Sequence, residues 1–279
     1  MNQKNICSII CCYYPDDKII KNQLEILTRI SDVFIFDNSS SLILEDFINY
    51  DSVVIKKSIS NLGTLKAYNE IISANSNYEY YWLWDQDTVI TYEIAKEFIE
   101  ASFKCFKESN NIVATTFLDK KNKINPLNKD KILIKASTTF LMKSKVESYV
   151  PLVFDENLFM DYGDWDFAYR LTAIGGYIQQ IETPKYNHSF GDTNLTWLGK
   201  FNISSQIRIY MQGLNTIYLI RKNGLFNFLS IILIMRFFYF PVKCIFLGIA
   251  RVNVYKFFLG IFDGLRGVES FMFMTNKMK

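Results

Sequence analysis

Ile6–Tyr13 is a continuous apolar run in which Ser8 alone is polar. A strand with no polar face must be covered on both sides, and sheets of that kind are parallel and lie between helices. The chain that follows fits this constraint. Pro15-Asp16-Asp17 reads as a turn and helix start, and residues 18–30 place Ile19, Ile20, Leu24, Leu27 and Ile30 at helical spacing. Val33–Phe36 predicts a second strand ending at Asp37-Asn38-Ser39-Ser40. Leu42–Ile48 predicts a short helix and Val53–Lys56 a third strand. After the Asn61-Leu62-Gly63 turn come a helix over 64–75, a strand over 80–84, an amphipathic helix over Ile94–Phe106 and a strand over Ile112–Phe117. This βαβα alternation predicts an α/β fold with helices on both faces of a mainly parallel sheet. Further on, 119–131 reads as a loop or hairpin, Ile132–Met142 as strand-like, Phe167–Ile174 as a helix stopped by Gly175-Gly176, and Tyr177–Ile181 as a strand.

The chain has 279 residues, enough to bury a full core, and its 49% hydrophobic content excludes a disordered protein. Its formal charge of +3 hides a split. Residues 1–192 carry 20 basic and 26 acidic side chains, a net of −6; residues 193–279 carry 11 and 2, a net of +9. Thr193 to Phe262 contains no Asp or Glu, and is dense in Phe, Ile and Leu. Such a stretch fits an anionic membrane surface and not nucleic acid. The five cysteines show no metal-ligand spacing and three fall in the first apolar run, which fits small buried hydrophobes in a reducing, cytosolic setting. Ile6–Cys12 is too short for a signal-peptide core.

Residues 82–89 read Trp-Leu-Trp-Asp-Gln-Asp-Thr-Val, so a large apolar run stops at two carboxylates, Asp85 and Asp87. Separated by one residue, they point the same way from a strand and repel. A divalent cation neutralises such a pair, and Mg²⁺ favours one or two carboxylates plus substrate phosphates. Alternatively, Asp simply marks a polar turn. In open α/β sheets ligands bind at the carboxyl ends of strands. Asp37 sits at that rim too, where a carboxylate can accept from the N3–H of a pyrimidine or close an Asx-turn. Asn61 and Gly63 precede a helix N-terminus, which suits an anion or simple capping.

These blocks, in order, resemble the inverting glycosyltransferases of family 2 with the GT-A fold, and within them the bacterial rhamnosyltransferases of surface-polysaccharide assembly. The resemblance runs over about residues 6–220 and rests on Tyr13–Pro15, Val33–Ser40, Asn61–Asn69, Trp84–Thr88, Asp161–Arg170 with Gly175, His188–Asp192 and Arg208–Asn215. It implies a GT-A domain over 1–220 and a helical, membrane-associating segment over 221–279. It also implies that Asp37, Asn61, Gly63 and Asn69 lie against the nucleotide. Asp85 would lie near the nucleotide sugar. Asp87 and His188, the one histidine, would hold Mg²⁺ or Mn²⁺, with Arg208 offsetting the diphosphate. By the same resemblance Asp164 is the base that deprotonates the acceptor, with Asp161 as fallback, because Gly163 stands where the family often has Glu. Arg170 is expected to take part in substrate binding or to pair with Asp166 at i, i+4.

The implied reaction moves a sugar, most simply L-rhamnose from a dTDP- or UDP-sugar, to a lipid-linked glycan for O-antigen or capsule. The implied place is the cytoplasmic face of the bacterial inner membrane. Leu225–Met235 is too short to span a bilayer, and Asn227 and Pro241 interrupt it. On a helical wheel Lys222, Arg236, Lys243 and Arg251 form a basic stripe, so residues 221–262 are expected to lie on an anionic surface. Two other readings stay open. Asp85-Gln-Asp87-Thr88 also fits the nucleophile motif of haloacid-dehalogenase-type phosphatases, with Asp85 phosphorylated. A membrane-bound scaffold that keeps the fold without turnover is the other.

Overall fold

The computed structural model describes residues 5–41, 51–117, 138–149, 153–181, 192–196, 199–203, 205–246 and 251–268. The expected helix at 42–48, the loop at 119–131, the first part of Ile132–Met142 and His188 lie outside them. The chain forms two compact units. One comprises Met1–Phe154 and Phe167–Ser189, the other Asp155–Asp166 and Phe190–Lys279.

The first unit holds β1 (Ile6–Cys12), α1 (Asp17–Leu27), β2 (Asp32–Asp37), β3 (Val53–Lys57), α2 (Thr64–Ala74), β4 (Tyr80–Asp85), α3 (Tyr92–Glu108), β5 (Ile112–Phe117), β6 (Phe140–Met142) and α4 (Lys143–Tyr149). It also holds β7 (Tyr177–Ile181) and most of α5 (Gly163–Ala173). The seven strands form one sheet in the order β3-β2-β1-β4-β6-β5-β7. Only β6 is antiparallel to its neighbours, β4 and β5; the other pairings are parallel. The sheet is thus mixed and mainly parallel, as its strand pattern predicts.

All seven residues of β1 are buried. Its register sets Cys12 opposite Asp37 on β2 and Cys11 opposite Asp85 on β4. The core beside β4 is aromatic: Trp82 stacks on Phe98 at 5.5 Å, Phe98 on Phe117 at 4.1 Å, and Tyr80 on Phe140 at 5.5 Å. Off-centre ring pairs add stabilisation beyond their buried area. The helices begin where the sequence supplies caps. Asp16 accepts from the Lys18 amide at 2.9 Å ahead of α1, and Thr91 caps α3 through the Ile94 amide. Cys7, Cys11, Cys12 and Cys244 are buried thiols, and Cys105 is partly exposed.

The second unit contains the hairpin β8 (Asp192–Thr196) and β9 (Gly199–Ile203), then α6 (Gln206–Asn223), α7 (Phe228–Phe246) and α8 (Arg251–Leu265). Ser205 caps α6, and Gly224 ends it with φ 83°, a left-handed conformation that glycine adopts without strain. Asn227 caps α7 through the Ser230 amide at 2.9 Å, so it starts the helix, and the helix runs on through Pro241. No helix among the described residues is long and apolar enough to cross a membrane.

α6 and α8 meet backbone to backbone. A Cβ on Gly213 would stand 2.2 Å from the Phe257 carbonyl oxygen, and one on Gly260 would stand 2.1 Å from that of Tyr210. Small residues at these two points let the helix axes approach closely. The Tyr210 hydroxyl donates to Asp263 at 2.8 Å, and Arg221 donates to the carbonyls of Gly264 and Leu265 at 2.7 Å each. α6 therefore packs with the C-terminal helices.

Gly260→Ala is expected to destabilise the protein by about 2 kcal/mol or more, because overpacking against a fixed carbonyl outweighs the gain of about 1 kcal/mol from removing a helical glycine. Urea unfolding followed by circular dichroism checks this. A neutral or stabilising effect would contradict the backbone contact.

Candidate active site

The carboxyl rim of the sheet is built around the end of β1. Asp37 and Asp85 close the strands on either side of it. Asp37 is fully buried, and its Oδ1 accepts from the Ser39 amide at 2.9 Å and the Ser39 hydroxyl at 2.7 Å. Asn38 bridges outward: its Oδ1 accepts from the Leu62 amide at 2.9 Å and its Nδ2 donates to Cys11 Sγ at 3.3 Å. Asn61 is buried and accepts from the Gly63 amide at 2.9 Å, and Gly63, with φ 80°, turns the chain into α2. Burial, with help from Asp85 and Asp37, pushes the Cys11 thiol up to about 12, against partial relief from Thr64 and Asn38. These groups thus share one electrostatic environment.

Asp85 and Asp87 are partly exposed at the end of β4. Their turn is fixed from behind. Gln23 on α1 donates to the Asp85 and Thr88 carbonyls at 3.0 and 2.8 Å, and the Tyr68 hydroxyl on α2 donates to the Trp84 carbonyl at 2.9 Å. Burial raises the Tyr68 hydroxyl well above its ordinary range, with Asp85 and Asp87 contributing, so it stays a protonated donor. Gln86, between them, brackets the Tyr13 backbone, accepting at 2.6 Å and donating at 3.3 Å. Among the described residues no third His, Cys, Asp or Glu joins this pair into a metal cluster. Two partly exposed carboxylates on a braced turn fit a hard cation that takes its remaining oxygens from phosphate and water.

Asn69 lies on α2 and is buried. Its amide brackets Phe154, donating to the carbonyl at 2.9 Å and accepting from the N–H at 3.1 Å. Arg170 on α5 donates to the Val153 carbonyl at 2.7 Å, and its guanidinium lies 5.9 Å from the Phe167 ring centre. Both side chains thus have structural work beside residues 153–154.

The second unit carries Asp164. It is partly exposed on the first turn of α5, where a carboxylate complements the helix dipole, and its Oδ1 accepts from the Trp165 amide at 3.0 Å. The residues before it are strained. Asp161 and Tyr162 adopt φ of 59° and 63°, which costs non-glycine residues about 1–3 kcal/mol each. Arg208 on α6 offsets this by gripping Asp161 at both oxygens, with Nη2 2.6 Å and Nε 3.1 Å from Oδ1 and Nε 3.2 Å from Oδ2. With both its oxygens engaged by Arg208, Asp161 reads as a structural anchor, which leaves Asp164 as the candidate base. The structure thus gives Arg208 a partner in the protein where a diphosphate contact was expected.

Asp166, fully buried, accepts from Lys222 at 2.7 Å, and the same ammonium reaches Asp155 at 2.6 Å. Arg236 lies over the Tyr162 and Trp165 rings, 5.5 and 5.7 Å from their centres. The expected basic stripe of Lys222, Arg236, Lys243 and Arg251 is spread over α6, α7 and α8. Its first two members are turned onto Asp155, Asp166 and the aromatic pair.

Sequence reasoning missed Gln23 and Tyr68, held Gln212 and Asn215 only as parts of the Arg208–Asn215 block, and read Lys222 only as part of a basic stripe. Gln23 was visible as a polar residue next to Leu24 on the apolar stripe of α1. Arg208, Gln212 and Asn215 recur at helical spacing and mark a polar face on α6. A separate cavity of about 390 Å³ opens beside Ile6, Tyr80 and Phe103, at the opposite, amino-terminal end of β1 and β4.

Comparison with known proteins gives the same direction. No family model matches the chain. It is 27% identical over 255 residues to a dTDP-rhamnosyl transferase, RfbF, of Shigella flexneri, covering 81% of this chain and 83% of that protein. Among solved structures, S. aureus TarS 1-349 in complex with UDP-GlcNAc superposes with a TM-score of 0.58 at 13% identity, covering 95% of this chain and 81% of that one. The same fragment with UDP gives 0.52 at 14% identity, over 86% and 73%. Against a longer TarS structure the TM-score is 0.50 at 15% identity, and this chain spans only 40% of that protein. The phosphatase reading of Asp85 falls here, because it requires the motif on an early strand and explains neither the fold nor the relative. The mixed sheet with its rim carboxylates, the order of the motif blocks and these likenesses together make the chain a glycosyltransferase that resembles the GT-A enzymes of family 2.

Proposed function

We propose that the protein transfers a sugar, L-rhamnose from its dTDP conjugate, with inversion to a lipid-linked glycan acceptor of O-antigen or capsule assembly. The observation that carries this reading is the pairing of β1 with β2 and β4, which sets Asp37 and Asp85 on either side of one strand end, with Asp87 beside them. The dTDP-rhamnosyl transferase among its relatives supports the donor. TarS, solved with UDP-GlcNAc, leaves UDP-sugars as the other donor class to screen.

In this mechanism Asp37, Asn61, Gly63 and Asn69 shape the nucleotide subsite, with the buried Asp37 fixing the turn against which the base lies. Asp87 and His188 would hold a divalent cation, with Asp85 beside them towards the nucleotide sugar. That cation, Mg²⁺ or Mn²⁺, would supply Lewis-acid stabilisation of the leaving diphosphate. Asp164 takes the proton from an acceptor hydroxyl as its oxygen attacks the anomeric carbon and the bond to the diphosphate breaks.

The acceptor would be met at the cytoplasmic face of the inner membrane. α7 exposes Phe228, Ile231, Met235, Phe238, Tyr239 and Val242 along one side, and α8 exposes Tyr255, Phe258, Phe262 and Leu265. Apart from Leu265, this apolar face belongs to a stretch without acidic residues, which suits an anionic lipid surface. The attachment rests on aromatic and aliphatic side chains more than on a cationic row.

A screen of dTDP- and UDP-sugars against the lipid fraction of bacterial membranes should identify one productive donor. There Asp164→Asn should lower turnover about 100-fold or more while leaving nucleotide binding intact; full activity would sink the base assignment. Gln23→Ala, which loosens the turn behind the two carboxylates, should raise the Mg²⁺ needed for half-maximal rate about tenfold. An unchanged Mg²⁺ dependence would place the cation elsewhere. Met235→Glu with Phe238→Glu should abolish flotation with vesicles of anionic phospholipid without altering the circular dichroism spectrum. Retained flotation would remove α7 from the membrane contact.

A further inference from the structure

Residues 160–165 carry more restraints than a helix start needs. Arg208 grips Asp161, and Gln212 adds a bond to its Oδ2 at 3.2 Å. Asn215 donates to the Met160 carbonyl at 2.7 Å and to that of Asp161 at 3.3 Å. Tyr162 and Trp165 stack with centres 5.1 Å apart, and the guanidinium of Arg236 on α7 covers both rings. Arg236 also donates to Gln212 Oε1 at 3.2 Å, which closes the loop of contacts back to Asp161. Two consecutive non-glycine residues at positive φ sit inside this ring of contacts. Such a conformation persists only where its surroundings over-determine it, and it concentrates where geometry serves function.

Taking Asp164 as the base, a reading on which this inference rests, we infer that Arg236, acting with Gln212, is a positioning residue of glycosyl transfer. Its cation fixes the Tyr162–Trp165 pair that flanks Asp164 in sequence, and its hydrogen bond holds Gln212 against Asp161. The carboxylate is thereby kept in the orientation that receives the acceptor proton. Arg236 touches neither donor nor acceptor in this role. Its loss changes turnover, because a displacement of about 1 Å at a reacting group can cost about 100-fold in rate.

The test compares Arg236→Ala, Arg236→Lys, Gln212→Met and Asp164→Asn in the full chain. The readouts are steady-state kinetics with dTDP-rhamnose and bacterial membrane lipid extract, dTDP affinity by calorimetry, and thermal unfolding. Arg236→Ala and Gln212→Met should lower kcat about 10- to 100-fold, with donor KM and dTDP affinity within about twofold of wild type and the unfolding midpoint near its wild-type value. Arg236→Lys, which keeps a cation over the rings, should regain most of the rate. Near-normal kcat in Gln212→Met and Arg236→Ala, beside an inactive Asp164→Asn, overturns the positioning role and leaves the base in place. A fall in kcat that tracks the loss of unfolding midpoint, with no rescue by lysine, also overturns it. An active Asp164→Asn removes the base reading itself, whatever the other variants do. Should Arg236→Ala fail to fold, the lysine and Gln212→Met variants decide the question alone.

Discussion

β1 hydrogen-bonds to a parallel neighbour on each side and has no exposed residue. That single constraint fixes most of the first unit. A strand buried on both faces cannot slip by one residue without exchanging its two apolar sets, and each set packs against helices. With the register held, the last residues of β2 and β4 must emerge together at one rim. Asp37 and Asp85 are the residues there, and each stands opposite a cysteine of β1. The site is thus a by-product of how the sheet must close, and the bracing by Gln23 and Tyr68 refines it.

In the second unit α6 plays the corresponding part. One side of it is bare enough at Gly213 for α8 to reach its backbone. Another presents Arg208, Gln212 and Asn215 to residues 160 and 161, and its last turns offer Tyr218 and Lys222 to Asp155. The Lys222 ammonium also offsets the buried charge of Asp166. A buried carboxylate left alone would be costly, so the start of α5 and the end of α6 depend on each other. Met235 and Arg236 are adjacent on α7, the first facing solvent and the second turned onto the aromatic pair, so a single helix turn joins surface and loop.

The alternation of strands and helices in the first unit could be read from sequence because it rests on local patterns, an unbroken apolar run or a stripe at helical spacing. The carboxylate pair after β4 was legible for the same reason, since it interrupts such a run. What could not be read depends on partners distant in sequence. Arg208 looked like a group for a diphosphate, yet its bonds go to a carboxylate 47 residues earlier. The pairing foreseen within α5 gave no hint that Lys222 would come from α6. Pro241 carried a local signal for a break, and tertiary packing kept the helix continuous. The contacts of Lys222 and Arg236 were hidden similarly: a helical wheel orders side chains around an axis but does not say which carboxylates or aromatic rings lie beside it.

The five cysteines have a practical consequence. Cys7, Cys11 and Cys12 lie in β1, where burial favours the neutral thiol and pushes all three upward from the ordinary thiol range. Cys244 is also buried, which leaves Cys105 on α3 as the thiol with partial exposure. Maleimide-type reagents react with the accessible thiolate, so the folded chain offers them a natural single attachment point on the first unit. A fluorophore there would report on the catalytic fold with no engineered residue, and a sudden uptake of further label would mark the moment β1 comes out of the sheet.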